Sequence, residues 1–189
     1  MRQRVGVLGG SFHPPHMGHV LLATYALSVL NLDKLIVVPS FAHPFARKLA
    51  PYPHRVRMCE LAFDHPRCVV SPIESTLPTP SYTIQVVEAL QASMPGCDWF
   101  LVLGADTRAT FAQWHRASEL ERLVELFFVR RLDASLSTSD TGVRTIPIAH
   151  VSSTEVREQL AQGVSVRGKV PARVLQYLHE YRTELGYEI

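Results

Sequence analysis

His16 and His19 stand three residues apart around Gly18, just after the run Gly9-Gly10-Ser11-Phe12. The apolar stretch Val5–Leu8 leads into them, and Val20–Leu30 follows with a helical pattern. The segment therefore reads as strand, glycine turn, histidine pair and helix start. Glycines let the backbone come close to a ligand. A helix start offers unpaired N–H groups and the positive end of a dipole. Imidazole nitrogens can donate to phosphate oxygens. Together these parts suit a nucleotide triphosphate. Blander roles fit the same residues: two glycines after a first strand are common in α/β proteins, and two histidines at this spacing can be a metal pair or surface residues.

A second group lies near the other end, Val151-Ser152-Ser153-Thr154-Glu155-Val156-Arg157. Small hydroxyl side chains cap helices and also donate to phosphate. Arg157 adds a permanent charge and a forked set of donors. Plain capping, with Glu155 favouring the helix start and Arg157 exposed, is the alternative.

These residues need a scaffold, and the chain alternates strand-like and helical stretches. Val5–Leu8, Leu35–Val38, Cys68–Ser71, Trp99–Leu103, Leu126–Val129 and Thr145–Ile148 read as strands. Val20–Leu30, His54–Phe63, Thr83–Ser93, Thr107–Phe111, Ala117–Arg122, Ser153–Gln162 and Pro171–Glu184 read as helical. Ser40–Pro53 and Ser135–Gly142 read as loops, the latter a mobile one. The alternation predicts an α/β, Rossmann-like, doubly wound and mostly parallel sheet with helices on both faces. Ligands in such sheets bind beyond the carboxyl ends of the strands. The glycine–histidine stretch, Gly104-Ala105-Asp106 and the loop after Val38 all fall at such ends.

The whole 189 residues read as one domain with room for a sizeable core. A formal charge of +2 argues against a nucleic-acid footprint, which needs clustered Lys and Arg. No apolar run is long enough to span a membrane, and the N-terminus lacks the apolar core of a signal peptide. Cys59, Cys68 and Cys97 are odd in number and lack CxxC spacing, as expected of free thiols in a cytoplasmic protein. A homo-oligomer stays open on these patterns.

The first stretch, Gly9 to His19, resembles the G-x-F-x-P-x-H-x-G-H type signature of the nucleotidyltransferase superfamily, with His13 where the superfamily often has Asp. The Ser-Ser-Thr-x-Val-Arg group is similar to the I-S-S-T-x-I-R motif of bacterial nicotinate (nicotinamide)-nucleotide adenylyltransferases. His54–Ala62 resembles that family's R-x-x-M-x-x-L-A helix, Ser81-Tyr82-Thr83-Ile84 its S-Y-T segment, and Gly104-Ala105-Asp106 with Trp114-His115 its G-A-D…W stretch. Pro171–Tyr187 resembles its closing helix. His43–Lys48 departs from the family's P-P-H-K type segment.

The resemblance implies transfer of AMP from ATP to nicotinate mononucleotide, or also to nicotinamide mononucleotide, giving a dinucleotide and pyrophosphate in NAD biosynthesis. It implies catalytic roles for His16, His19 and Arg157. ATP and its phosphates would meet Gly9, Gly10, Ser11, Phe12, Gly18, Gly104, Asp106, Ser152, Ser153 and Thr154. The mononucleotide would meet Lys48, Arg55, Tyr82 and Thr83, with Trp114 stacked on the pyridine ring. For Arg55 a salt bridge on its own helix is the plainer alternative; for Trp114, Tyr82 and Thr83 it is packing and capping. Mg2+ would arrive with ATP, without a dedicated protein cage. Two other functions stay open: another superfamily transferase, such as a phosphopantetheine adenylyltransferase, and a catalytically silent nucleotide-binding regulator. The Ser-Tyr-Thr segment and Trp114 count against the first, and His16, His19 and Arg157 against the second.

Overall fold

A computed structural model of the protein describes residues 2–41, 49–131, 144–146 and 151–186. The stretches His43–Lys48 and Ser135–Gly142, and with them the expected role of Lys48, lie outside the described residues. Six strands, β1 (Arg4–Gly10), β2 (Lys34–Pro39), β3 (Cys68–Val70), β4 (Asp98–Gly104), β5 (Glu125–Arg131) and β6 (Arg144–Ile146), form one sheet in the order β3-β2-β1-β4-β5-β6. Every neighbouring pair is parallel. The helices are α1 (Met17–Val29), α2 (Tyr52–Ala62), α3 (Thr83–Ser93), α4 (Ala117–Leu123), α5 (Ser153–Ala161) and α6 (Ala172–Glu180).

Period-2 alternation assigns the strand side chains to two cores. Leu35, Val37, Phe100, Val102, Phe127 and Val129 pack with residues of α1, α2, α5 and α6. Val5, Val7, Ile36, Val38, Trp99, Leu101 and Leu103 pack with residues of α3 and α4. The central strands β1, β2 and β4 are buried on both sides, which explains why the sequence shows short continuous apolar runs there.

The strand order reverses between β1 and β4. Their pairing ends at Val7 and Leu101. β1 runs on beside β2 to Gly10 and Pro39, and β4 runs on beside β5 to Gly104 and Val129. The two central strands therefore part at their carboxyl ends, and a crevice opens at the switch point.

Three expectations change. Gly9 and Gly10 are the last residues of β1 rather than a turn, because β2 continues to pair with them. Gly9 is exposed, with open space where a Cβ would stand. Helix α1 starts at Met17, not near Val20, so His16 caps it and His19 sits in its first turn. Residues 107–111, expected as helix, form short 3-10 turns at Ala105–Thr107 and Phe111–Gln113.

Candidate active site

The α1 start is built by its own histidines. His16 is the N-cap, and its backbone N–H donates to His19 Nδ1 at 3.2 Å. An Nδ1 that accepts carries no proton, so His19 holds its proton on Nε2. The two rings lie 3.8 Å apart between centroids, and the Phe12 ring meets His19 edge-on at 4.9 Å. Gly18 makes room for this pair. A Cβ there would come within 3.0 Å of the His16 ring and 3.6 Å of the Val151 carbonyl.

Two expected contacts are corrected by burial. Phe12 is only 1% exposed and packs on Phe63, so its ring supports His19 from below rather than meeting a ligand. The helix start is also less open than its sequence implies: Met17 N–H donates to the Lys169 carbonyl at 2.8 Å, and His19 N–H to the His16 carbonyl at 2.9 Å.

The second group docks directly on the first. Ser152 caps α5 by accepting from Glu155 N–H at 3.1 Å, as plain capping requires. Ser153 Oγ, however, donates to the Pro14 carbonyl at 3.0 Å. Arg157 is half-buried; Nη1 donates to the His13 carbonyl at 2.7 Å and Nη2 to Thr154 Oγ1 at 3.1 Å. Capping alone would leave Arg157 in solvent. Instead, side chains of α5 grip the 13–14 backbone, and motifs some 140 residues apart share one mouth of the crevice.

His13 lies beneath that grip. It is buried, and its Nδ1 accepts from Ala50 N–H at 3.1 Å. Burial, and then the charges of Arg157 and Arg55, depress its pKa to about 4, which keeps the ring neutral.

Arg55 corrects both of its expected roles. It is 1% exposed, and its donors go to four backbone carbonyls: Ala50 from Nε at 3.0 Å, Ser11 and Ser40 from Nη1 at 3.0 and 2.6 Å, and Phe41 from Nη2 at 3.3 Å. It reaches no carboxylate on its helix and spends its hydrogen bonds holding loops together.

On the β4 side, Gly104-Ala105-Asp106 leads off the strand, and Thr107 Oγ1 donates to the Gly104 carbonyl at 2.7 Å. Asp106 is exposed, with its carboxylate folded back over Gly104 so closely that a Cβ there would overlap Oδ1. Tyr82 caps α3 and stacks on His115 at 4.3 Å. Thr83 opens α3 beside it. Trp114 is half-buried, 5.4 Å from the Phe111 ring and packed on the second core. The Ser-Tyr-Thr segment and the Trp-His pair thus meet in space.

Sequence reasoning missed Glu74 and the stacking role of His115. His115 is at least flagged by its place beside Trp114. Glu74 sits on an unforeseen 3-10 turn, Ile73–Thr76, and is buried. Its Oε1 accepts from Phe41 N–H at 3.1 Å and Ser81 Oγ at 2.8 Å, while burial raises its pKa.

A doubly wound parallel sheet opened at its switch point is a nucleotide-binding class of α/β fold. A family model described as cytidylyltransferase-like matches residues 7–159, and the chain belongs to that family, within it to the nicotinate-nucleotide adenylyltransferases. A relative from Anaeromyxobacter dehalogenans (strain 2CP-C), named "Probable nicotinate-nucleotide adenylyltransferase", is 37% identical over 188 residues, 97% of this chain and 98% of its own. One of the same name from Enterococcus faecalis is 33% identical over all of this chain and 89% of its own. The solved Plasmodium falciparum nicotinic acid mononucleotide adenylyltransferase complexed with NaAD shares the fold, with a TM-score of 0.81 at 15% identity over 99% of each chain. Among the described residues, no helix is long and apolar enough to cross a membrane.

Proposed function

We propose that this protein transfers AMP from ATP to nicotinate mononucleotide in NAD biosynthesis. An acceptor phosphate oxygen attacks the α-phosphorus of ATP in line. The new P–O bond forms as the α–β bridging bond breaks, and pyrophosphate leaves with the electron pair. The acceptor is already an anion, so no general base is required. Catalysis rests on position and on stabilising charge. His19 supplies an Nε2–H donor at the crevice, His16 orders the same helix start, and Arg157 with Thr154 and Ser153 faces the outgoing pyrophosphate. Gly9, Gly10, Ser11 and Gly18 let the phosphates approach the backbone. Asp106 and Gly104 border the ribose. Tyr82, Thr83 and Trp114 line the pyridine side.

The observation that carries this function is the docking of α5 onto the 13–14 backbone, because it places a histidine pair and a forked cation at one crevice mouth. The printed names of the full-length relatives support it. Among the described residues, no three His, Cys, Asp or Glu side chains gather into a metal cage. Mg2+ is proposed to enter with the substrate, held by ATP phosphates and water. The three cysteines are free, which supports a cytoplasmic enzyme. Pyrophosphate release decides the matter. ATP with nicotinate mononucleotide should release it in the presence of Mg2+ and not after chelation. Release only with phosphopantetheine would favour the other transferase, and no release with any acceptor would favour a silent regulator.

A further inference from the structure

Phe41 is 41% exposed at the end of β2, yet two buried charged side chains grip its backbone. Glu74 Oε1 takes its N–H at 3.1 Å, and an Arg55 Nη2 hydrogen goes to its carbonyl at 3.3 Å. Exposed loop backbone ordinarily turns to water. Burying a carboxylate and a guanidinium to hold it is costly unless both are fully satisfied. Here they are used in several directions. Arg55 also ties in Ser11, Ser40 and Ala50, and Glu74 ties in Ser81. Tyr52 completes the group, its ring edge-on to Phe41 at 5.0 Å and 5.3 Å below the Arg55 guanidinium.

The bonds join the end of β1, the end of β2, the start of α2, and Ser81, two residues before α3. Ser81 immediately precedes Tyr82 and Thr83, and Tyr82 stacks on His115. None of these bonds touches α5 or the histidine pair. We propose that Arg55 and Glu74 form a buried brace that positions the acceptor side of the crevice, so that they set the affinity for the mononucleotide more than that for ATP. They are positioning residues, since neither presents a group to substrate. The proposal rests on the adenylyl-transfer function above.

The test separates the two substrates. Glu74→Ala should raise KM for nicotinate mononucleotide about tenfold or more, with KM for ATP changed less than about twofold, and Arg55→Lys, which also frees the Ser11 carbonyl, should raise the acceptor KM more than the ATP KM. Each removes hydrogen bonds that fix preorganised backbone. Glu74→Gln keeps an oxygen acceptor and should return the acceptor KM to within about threefold of wild type. Ser81→Ala removes one partner without opening a cavity and should give a smaller rise in the same constant, so the test stands even if Glu74→Ala does not fold. Equal rises in both KM values, or a loss confined to kcat, would mean a merely structural role and would overturn the brace. Calorimetric titration of wild type and variants with the mononucleotide alone keeps the two claims apart. A wild type that binds it without turnover would refute adenylyl transfer, and the variants' Kd would then judge the brace. A wild type that binds it neither alone nor beside a non-hydrolysable ATP analogue would overturn both.

Discussion

His19 accepts at Nδ1 and therefore offers Nε2–H as a donor. His19→Ala should lower kcat on the order of a hundredfold, the usual cost of one preorganised donor at a developing charge. It should leave the fold intact, since the ring lies at the start of α1 and outside both hydrophobic cores. Near-normal turnover by a folded His19→Ala enzyme would remove the phosphate role. His13 plays a different part. Its ring is neutral in the folded protein because its pKa falls from 6.5 to about 4. Between those values the unfolded chain binds the proton and the folded chain does not. Stability from this site is fully present above pH 6.5 and is lost as pH falls towards 4, by up to roughly 3 kcal/mol. His13→Asn keeps an acceptor for Ala50 and cannot titrate, so urea unfolding of the variant should depend less steeply on pH across that window. Identical slopes for wild type and variant would show that His13 is not the group responsible.

Strand and helix elements were largely legible in the residues, because short apolar runs bounded by Gly, Pro and Ser mark buried parallel strands. Their ends were less so. The start of α1 depends on a backbone N–H finding an imidazole, which hydrophobic periodicity does not register. The start of α2 at Tyr52 places Pro53 in its first turn, where a missing N–H costs nothing, although the same proline-rich stretch reads equally well as loop. Motif residues were legible by type, but burial was not: Phe12 and Arg55 carry the right chemistry for contact and spend it inside the fold. The α5 start shows the reverse. Its residues suit simple capping, and only the packed fold shows that Ser153 and Arg157 reach the 13–14 backbone. Arg157→Ala should therefore weaken ATP use about ten- to a hundredfold, as expected for roughly 1.5–3 kcal/mol from a charged hydrogen bond. Arg157→Lys should recover only part, because one ammonium cannot replace a fork that bonds both His13 and Thr154. ATP kinetics of the two variants check this, and unchanged kinetics in Arg157→Ala would reduce the residue to a clamp.

Across the whole molecule, the sheet reverses its order once, and the crevice at that point divides the work. In the proposed function, α1 and α5 close the phosphate end, and α3 with the Trp114-His115 turn lines the pyridine side. The proposed function then assigns discrimination between a carboxylate and an amide on the pyridine ring to the pyridine side. Backbone N–H groups at a helix start such as that of α3 favour a carboxylate; an amide brings its own donors and leaves some of them poorly paired. Nicotinate mononucleotide should accordingly show the higher kcat/KM of the two acceptors. Trp114 is partly held by Phe111 and offers an aromatic surface indifferent to that substituent. Trp114→Ala should raise KM for both acceptors while changing their ratio little. Side-by-side kinetics with the acid and the amide decide both points. Equal or reversed kcat/KM would refute the acid preference while leaving adenylyl transfer in place, and a ratio that collapses in Trp114→Ala would move the discrimination from the α3 backbone to the indole itself.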